Sequence, residues 1–284
     1  MNINGTEIDF SKQRGYFFNM DCLEALKQMP DKSVSLAIVD PPYGAGFTEG
    51  GGCQGWFKKY HQSDESSQIC QVERERETAK PWNRFGGRFD KYKTEVTLCV
   101  RNPQVPQELR GQAEHGQGNT KKIVTWDVAP KQEYFDELFR ISRNQIIWGG
   151  NYFSLPPTRC FLVWRKLTIS DSFSMAMAEY AWTSFNENAK VFECAPQGKK
   201  DDPRWHPTSK PIALYKWILE HYAKKGDVIL DSHVGSGSSL IACEQLGYNY
   251  IGFEIDDVYY RKAVERIKTQ TAQMTIFDLM GGAE

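Results

Sequence analysis

Residues 227–256 constrain the fold more than any other stretch, because they read as a complete strand–turn–helix–strand unit. Asp227-Val228-Ile229-Leu230 is a short apolar strand that runs into the glycine-rich turn Asp231-Ser232-His233-Val234-Gly235-Ser236-Gly237. Leu240-Ile241-Ala242-Cys243-Glu244-Gln245-Leu246 continues as a helix, Gly247 stops it, and Tyr248 to Phe253 form the next strand. This is the nucleotide-binding unit of an α/β chain. Its glycines let the backbone approach a ligand, and Glu254, an acid about twenty residues past the turn, can grip ribose hydroxyls. The candidate cofactor contacts are therefore Asp231, Ser232, Gly235, Ser236, Gly237, Glu254 and Ile255. A dinucleotide-binding dehydrogenase fits less well, since Leu240 stands where the third glycine of Gly-x-Gly-x-x-Gly belongs.

The chemistry is carried earlier, by Asp40-Pro41-Pro42-Tyr43, which follows the apolar strand Val34-Ser35-Leu36-Ala37-Ile38-Val39. Two prolines forbid both helix and ladder pairing, so the acid and the tyrosine are held just past the strand's carboxyl end. An exocyclic amine on a base is a poor nucleophile because its lone pair is delocalised into the ring. A carboxylate from Asp40 and the Pro41 carbonyl, freed because proline cannot pair into regular structure, can accept its two hydrogens and localise that lone pair. Tyr43 offers a flat face for the base. Beside such a site, S-adenosylmethionine suits the glycine-rich unit: it has an adenosine to bind, no pyrophosphate and a methyl group to give. Asp40, Pro41, Pro42 and Tyr43 are the candidate catalytic residues.

Two further stretches point to the same pocket. Asn19-Met20-Asp21-Cys22-Leu23-Glu24-Ala25-Leu26 reads as a strand end giving way to a helix, with Asp21 either capping that helix or accepting from an adenine amino group. Asp21 and Cys22 join the cofactor set. His206-Pro207-Thr208-Ser209-Lys210-Pro211 precedes an amphipathic helix from Ile212 to Tyr222, and Lys210 stands where a methionine carboxylate can be met.

Composition narrows the partners. The 284 residues suit one large α/β domain with an insertion, and a formal net charge of -1 means that nucleic acid must be met by a local basic face. No apolar run is long enough to span a bilayer and no signal-peptide pattern opens the chain, so a cytoplasmic protein is expected. Seven scattered cysteines suit reduced thiols. Cys53, His61, Cys70 and Cys99 offer zinc-type ligands, but without a Cys-x-x-Cys pair no metal is expected.

Taken together, the motifs resemble those of DNA amino-methyltransferases of the beta arrangement, in which the Asp-Pro-Pro-Tyr segment precedes the S-adenosylmethionine segment. Within that group the chain is similar to adenine-N6 enzymes of phages and prophages. The resemblance covers residues 15–43, about 125–190 and 206–270. Its marks include Asn144-Gln-Ile-Ile-Trp-Gly-Gly-Asn-Tyr-Phe153 and Glu179-Tyr-Ala-Trp-Thr-Ser184 beside the segments already quoted. It implies a Rossmann-like methyltransferase fold: a mostly parallel seven-stranded sheet with helices on both faces. It also implies methyl transfer from S-adenosylmethionine to N6 of a flipped-out adenine in double-stranded DNA. N4 of cytosine is the close alternative, and a catalytically silent DNA-binding regulator a more distant one. Trp164-Arg165-Lys166 departs from the family's usual Trp-Asp-Lys or Trp-Asn-Lys, which puts the local polar contacts in question.

Residues 1–284 are expected to form one catalytic domain, with 44–122 as an inserted recognition segment and 271–284 as a C-terminal tail. In the insertion, cations interleave with aromatics from Lys80 to Lys93, and Lys80, Arg84, Arg88 and Lys91 are the candidate DNA-binding residues. The same surface can equally serve a homodimer. Gln273-Met274-Thr275-Ile276-Phe277-Asp278-Leu279 resembles a sliding-clamp peptide, with folding back onto the enzyme as the other reading.

Overall fold

The apolar runs read above become the inner strands of one twisted sheet. In the computed structural model, the structure describes residues 1–44, 128–169, 176–196, 206 and 208–281, together with two short strands at 47–48 and 52–53; side chains are described as far as residue 272. Eight strands lie in this sheet: β3 (Gly15–Asn19), β4 (Val34–Val39), β7 (Ser142–Trp148), β8 (Phe161–Lys166), β9 (Ala178–Thr183), β10 (Lys190–Cys194), β11 (Val228–Asp231) and β12 (Asn249–Glu254). Two-residue pairs stand outside it, β1 (Asn2–Ile3) with β2 (Thr6–Glu7) and β5 (Phe47–Thr48) with β6 (Gly52–Cys53).

The strand order is β10-β8-β9-β7-β4-β11-β12-β3, and every pairing is parallel except the two made by β9. This is the expected α/β class with one strand more than the seven implied, β10 being added at an edge. Chain order reverses at the centre. From β4 the chain moves outward to β7, whereas from β11 it moves the other way to β12. A crevice at the carboxyl ends of β4 and β11 is where open α/β sheets bind ligands.

Both faces of the sheet are covered. Leu36 and Ile38 of β4 point to one side and join Ile146, Trp148, Leu214, Ile218 and Leu240. Ala37 and Val39 point to the other and join Ala25, Leu26, Phe135, Leu138 and Ile147. The period-2 alternation of a strand buried on both faces explains why Val34–Val39 is apolar almost throughout. The covering helices are α1 (Cys22–Leu26), α2 (Gln132–Ile141), α3 (Ile212–Tyr222), α4 (Ser238–Leu246) and α5 (Asp257–Gly281).

Local chemistry sets their ends. Asp21 caps α1, its Oδ1 accepting from the Leu23 N–H at 2.8 Å. Gly247 ends α4 in the left-handed region, φ +77°, donating its N–H to the carbonyls of Cys243 and Glu244. The tail expected beyond the last helix is instead helical: α5 runs through residues 273–279 to Gly281. No helix among the described residues is long and apolar enough to cross a membrane.

Candidate active site

Asp40 follows the last residue of β4, and both of its carboxylate oxygens are engaged. The Tyr43 hydroxyl donates to Oδ1 at 2.7 Å, and the Lys210 ammonium contacts Oδ2. Lys210, only 3% exposed, also lies 3.2 Å from Glu179 Oε2, while Lys166 reaches Glu179 Oε1 at 2.6 Å. Asp40, Lys210, Glu179 and Lys166 thus alternate in sign along one chain of contacts. Burial alone would raise the Glu179 carboxyl, but the two lysines outweigh it and hold the group below its ordinary value. Burial likewise works against the Lys210 ammonium, and Asp40 and Glu179 overcome it, leaving its pKa above that of a free lysine. The ammonium sits 5.1 Å from the centre of the Trp148 ring, a cation–π contact that adds to its stabilisation.

Tyr43 packs its ring 4.7 Å from that of Tyr152 and 6.1 Å from that of Phe153. Gly149, at φ +65°, lets it lie there: a Cβ at this position would come within 2.2 Å of the Tyr43 ring.

A cavity of about 340 Å³ opens beside this cluster. Asp40, Pro41, Pro42 and Tyr43 form one wall, and Asp21, Cys22, Ser232, Gly235, Glu254 and Ile255 another. All four candidate catalytic residues therefore share one cavity with six of the ten candidate cofactor residues. The other four lie behind it. Asp231 braces the turn, its Oδ1 accepting from the His233 N–H at 3.0 Å and its Oδ2 from the Ser239 hydroxyl. Ser236 bonds to the hydroxyls of Ser209 and Ser238, each at 3.1 Å, and Gly237 caps α4 at φ +82°. Lys210, expected at a methionine carboxylate, is committed to Asp40 and Glu179 instead. Asp21 caps α1, as one of its readings expected, and it also lines the cavity.

Glu254 accepts the Gly235 N–H at 2.8 Å and the Asp256 N–H at 2.9 Å. Burial raises its carboxyl above the ordinary value although these amides pull the other way. Residues that sequence reasoning passed over also line the wall: Tyr134, whose hydroxyl lies 2.6 Å from that of Ser232; His233, 2.9 Å from the same hydroxyl; and His206 with Tyr259, rings 4.4 Å apart. His206 and His233 sat inside quoted motifs but carried no distinguishing spacing. Tyr134 falls in an apolar helix pattern that reads as core.

The cavity suits an adenosyl ligand. Its volume falls in the usual range for small-molecule sites, its lining is mostly apolar, and Asp21, Asp40 and Glu254 bring carboxylates to it. At Gly235, φ +53°, an added Cβ would press to 3.1 Å from the His206 ring, so the missing side chain lets the two pack closely. Among the described residues, no group of three or more His, Cys, Asp or Glu is arranged to hold a metal ion. Lys80, Arg84, Arg88 and Lys91, and the zinc-type set of Cys53, His61, Cys70 and Cys99, lie outside the residues whose side chains are described.

A family model described as DNA methylase, of the N6/N4 methyltransferase type, matches residues 34–265. The chain belongs to this DNA methylase family. The methylase is 24% identical over 272 residues to the type II methyltransferase M2.DpnII of Streptococcus pneumoniae, covering 92% of each chain. It is 38% identical over 65 residues to the type II methyltransferase M.HpaI of Haemophilus parainfluenzae, a stretch that spans 23% of this chain and 21% of that relative. Among solved structures, the complex of M1.HpyAVI with S-adenosylmethionine aligns at a TM-score of 0.47 and 14% identity, covering 89% of the methylase and 98% of that chain.

Proposed function

We propose that the methylase transfers a methyl group from S-adenosylmethionine to N6 of adenine in double-stranded DNA. The observation that carries this reading is the placement of the Asp40 carboxylate on the wall of the cavity that Glu254 and the glycine turn also line. Asp40 accepts one hydrogen of the target amine and a backbone carbonyl of the Pro41-Pro42 segment the other, which localises the nitrogen lone pair. Tyr43 and Tyr152 provide aromatic surface for a base taken out of the duplex stack. Glu254 and Asp21 hold the polar ends of the adenosyl group. Bound S-adenosylmethionine supplies the electrophilic methyl. Positioning and electrostatics carry the acceleration, without a covalent protein intermediate.

Cytosine N4 presents the same amine chemistry; aspartate before Pro-Pro-Tyr, by resemblance, favours adenine. Asp40→Ala should lower methyl transfer by about 100-fold or more while leaving donor binding within a few-fold. Radiolabel transfer into DNA with parallel calorimetry checks this, and chromatography of the labelled nucleosides separates N6-methyladenine from N4-methylcytosine. A fully active Asp40→Ala protein would remove the assignment.

A further inference from the structure

The buried chain of charges ends on the reacting side at Asp40, and nothing in the chemistry above accounts for the lysine behind it. A lysine 3% exposed is costly unless its charge is matched, and this one has two carboxylate partners, Asp40 on the cavity wall and the half-buried Glu179 of β9. Glu179 is itself fixed by Lys166 from β8. Lys210 stands behind Asp40, outside the residues that line the cavity. Tyr43 takes Oδ1 of the same carboxylate, which leaves Asp40 clamped at both oxygens.

We infer that Lys210, held by Glu179, is a positioning residue for methyl transfer: it fixes the Asp40 carboxylate in place to accept the amine hydrogen. The inference rests on the reading of Asp40 as the amine acceptor. Two groups hold that carboxylate directly, Lys210 from the segment before α3 on Oδ2 and Tyr43 from its own loop on Oδ1. Removing Lys210 leaves the Tyr43 hydroxyl as the one remaining clamp, and the carboxylate is then free to turn away from the amine.

Lys210→Met should therefore lower the saturated single-turnover rate about 100-fold while leaving S-adenosylmethionine affinity within about threefold. Glu179→Gln keeps both lysines and loosens the ammonium from one side, so it should lower the same rate by less. A fall in the saturated rate at nearly constant donor affinity and an unchanged melting temperature is what a purely structural role would not produce. If Lys210→Met fails to fold, Lys210→Arg, which keeps a donor to Asp40, should fold and recover part of the rate. A Lys210→Met protein with wild-type rate overturns the inference, as does one that loses donor affinity while keeping its saturated rate. In either case an inactive Asp40→Ala protein would leave the methylation reading standing. Activity in Asp40→Ala would remove that reading first.

Discussion

Gly149 shows how a single residue sets the site. Its φ of +65° lies in the left-handed region, and the space a Cβ would need is already filled by the Tyr43 ring. Gly149→Ala therefore costs about 1–2 kcal/mol in backbone strain, which a domain of this size tolerates. The ring of Tyr43 must also shift, disturbing its contacts with Tyr152 and Asp40. Because a displacement of about 1 Å in a reacting group can cost roughly 100-fold, the variant should melt near the wild-type temperature yet transfer methyl groups about 100-fold more slowly. Thermal unfolding and single-turnover kinetics on one preparation separate the two effects. Wild-type transfer by the alanine variant would show that Tyr43 need not sit where it does.

At the scale of elements, the glycine turn is held by a helix from the far end of the chain. Arg266 of α5 donates to the Ser236 carbonyl at 2.6 Å and to the Ser238 hydroxyl at 3.0 Å, while Ala263 and Ile267 close over Gly237. Arg266→Ala should leave the turn less ordered before binding. Donor affinity should fall roughly tenfold, with little change in the saturated rate, since ground and transition states lose the same contact. Isothermal titration beside a full kinetic profile checks this, and an unchanged dissociation constant would show the turn to be rigid by itself. The turn and the helix α4 were legible in the sequence because their signals are local: an apolar run, glycines, and a stop at Gly247. The reversed direction of β9 was not, because it depends on partners in β7 and β8 rather than on its own residues. Edge strand β10 hides for another reason: Val191 is mostly exposed, so no apolar pattern marks it. The extra length of α5 did leave a trace, as no glycine or proline interrupts Asp257 to Met280. Lys166 also had a signal that can be read, since Leu162, Trp164 and Lys166 alternate on the inward face of β8. Lys210 was legible as a site residue, but its pairing with Asp40 was not, because the two lie 170 positions apart.

For the whole molecule, two buried groups of the turn make opposing contributions to stability against pH. Burial lowers the His233 imidazole to about 4, so between about pH 4 and 6.5 the unfolded chain takes up a proton that the folded one refuses, and stability falls as pH drops. Burial raises the Asp231 carboxyl to about 7, against its hydrogen bond from Ser239. The folded state then keeps a proton that the unfolded chain releases near pH 4, and stability falls as pH rises from about 4 to 7. Within this pair the slopes offset one another over most of the shared range. His233→Phe should leave the carboxyl's slope alone, so the variant gains about 2 kcal/mol relative to wild type between pH 6.5 and 4.5, partial access to the cavity trimming the larger value that full burial implies. Urea unfolding at several pH values measures it, and curves that stay parallel would dismiss the assignment.

The ion pair that anchors Asp40 joins residues 170 positions apart. A ribosome adding about 5–20 residues per second delivers the lysine roughly 10–30 s after the aspartate. Until then the emerging chain carries the Asp40 carboxylate without the counter-charge that fixes it, and without the glycine turn that follows still later. The two walls of the cavity are thus made in separate stretches of synthesis. The cavity itself exists only once the second half of the sheet closes against the first.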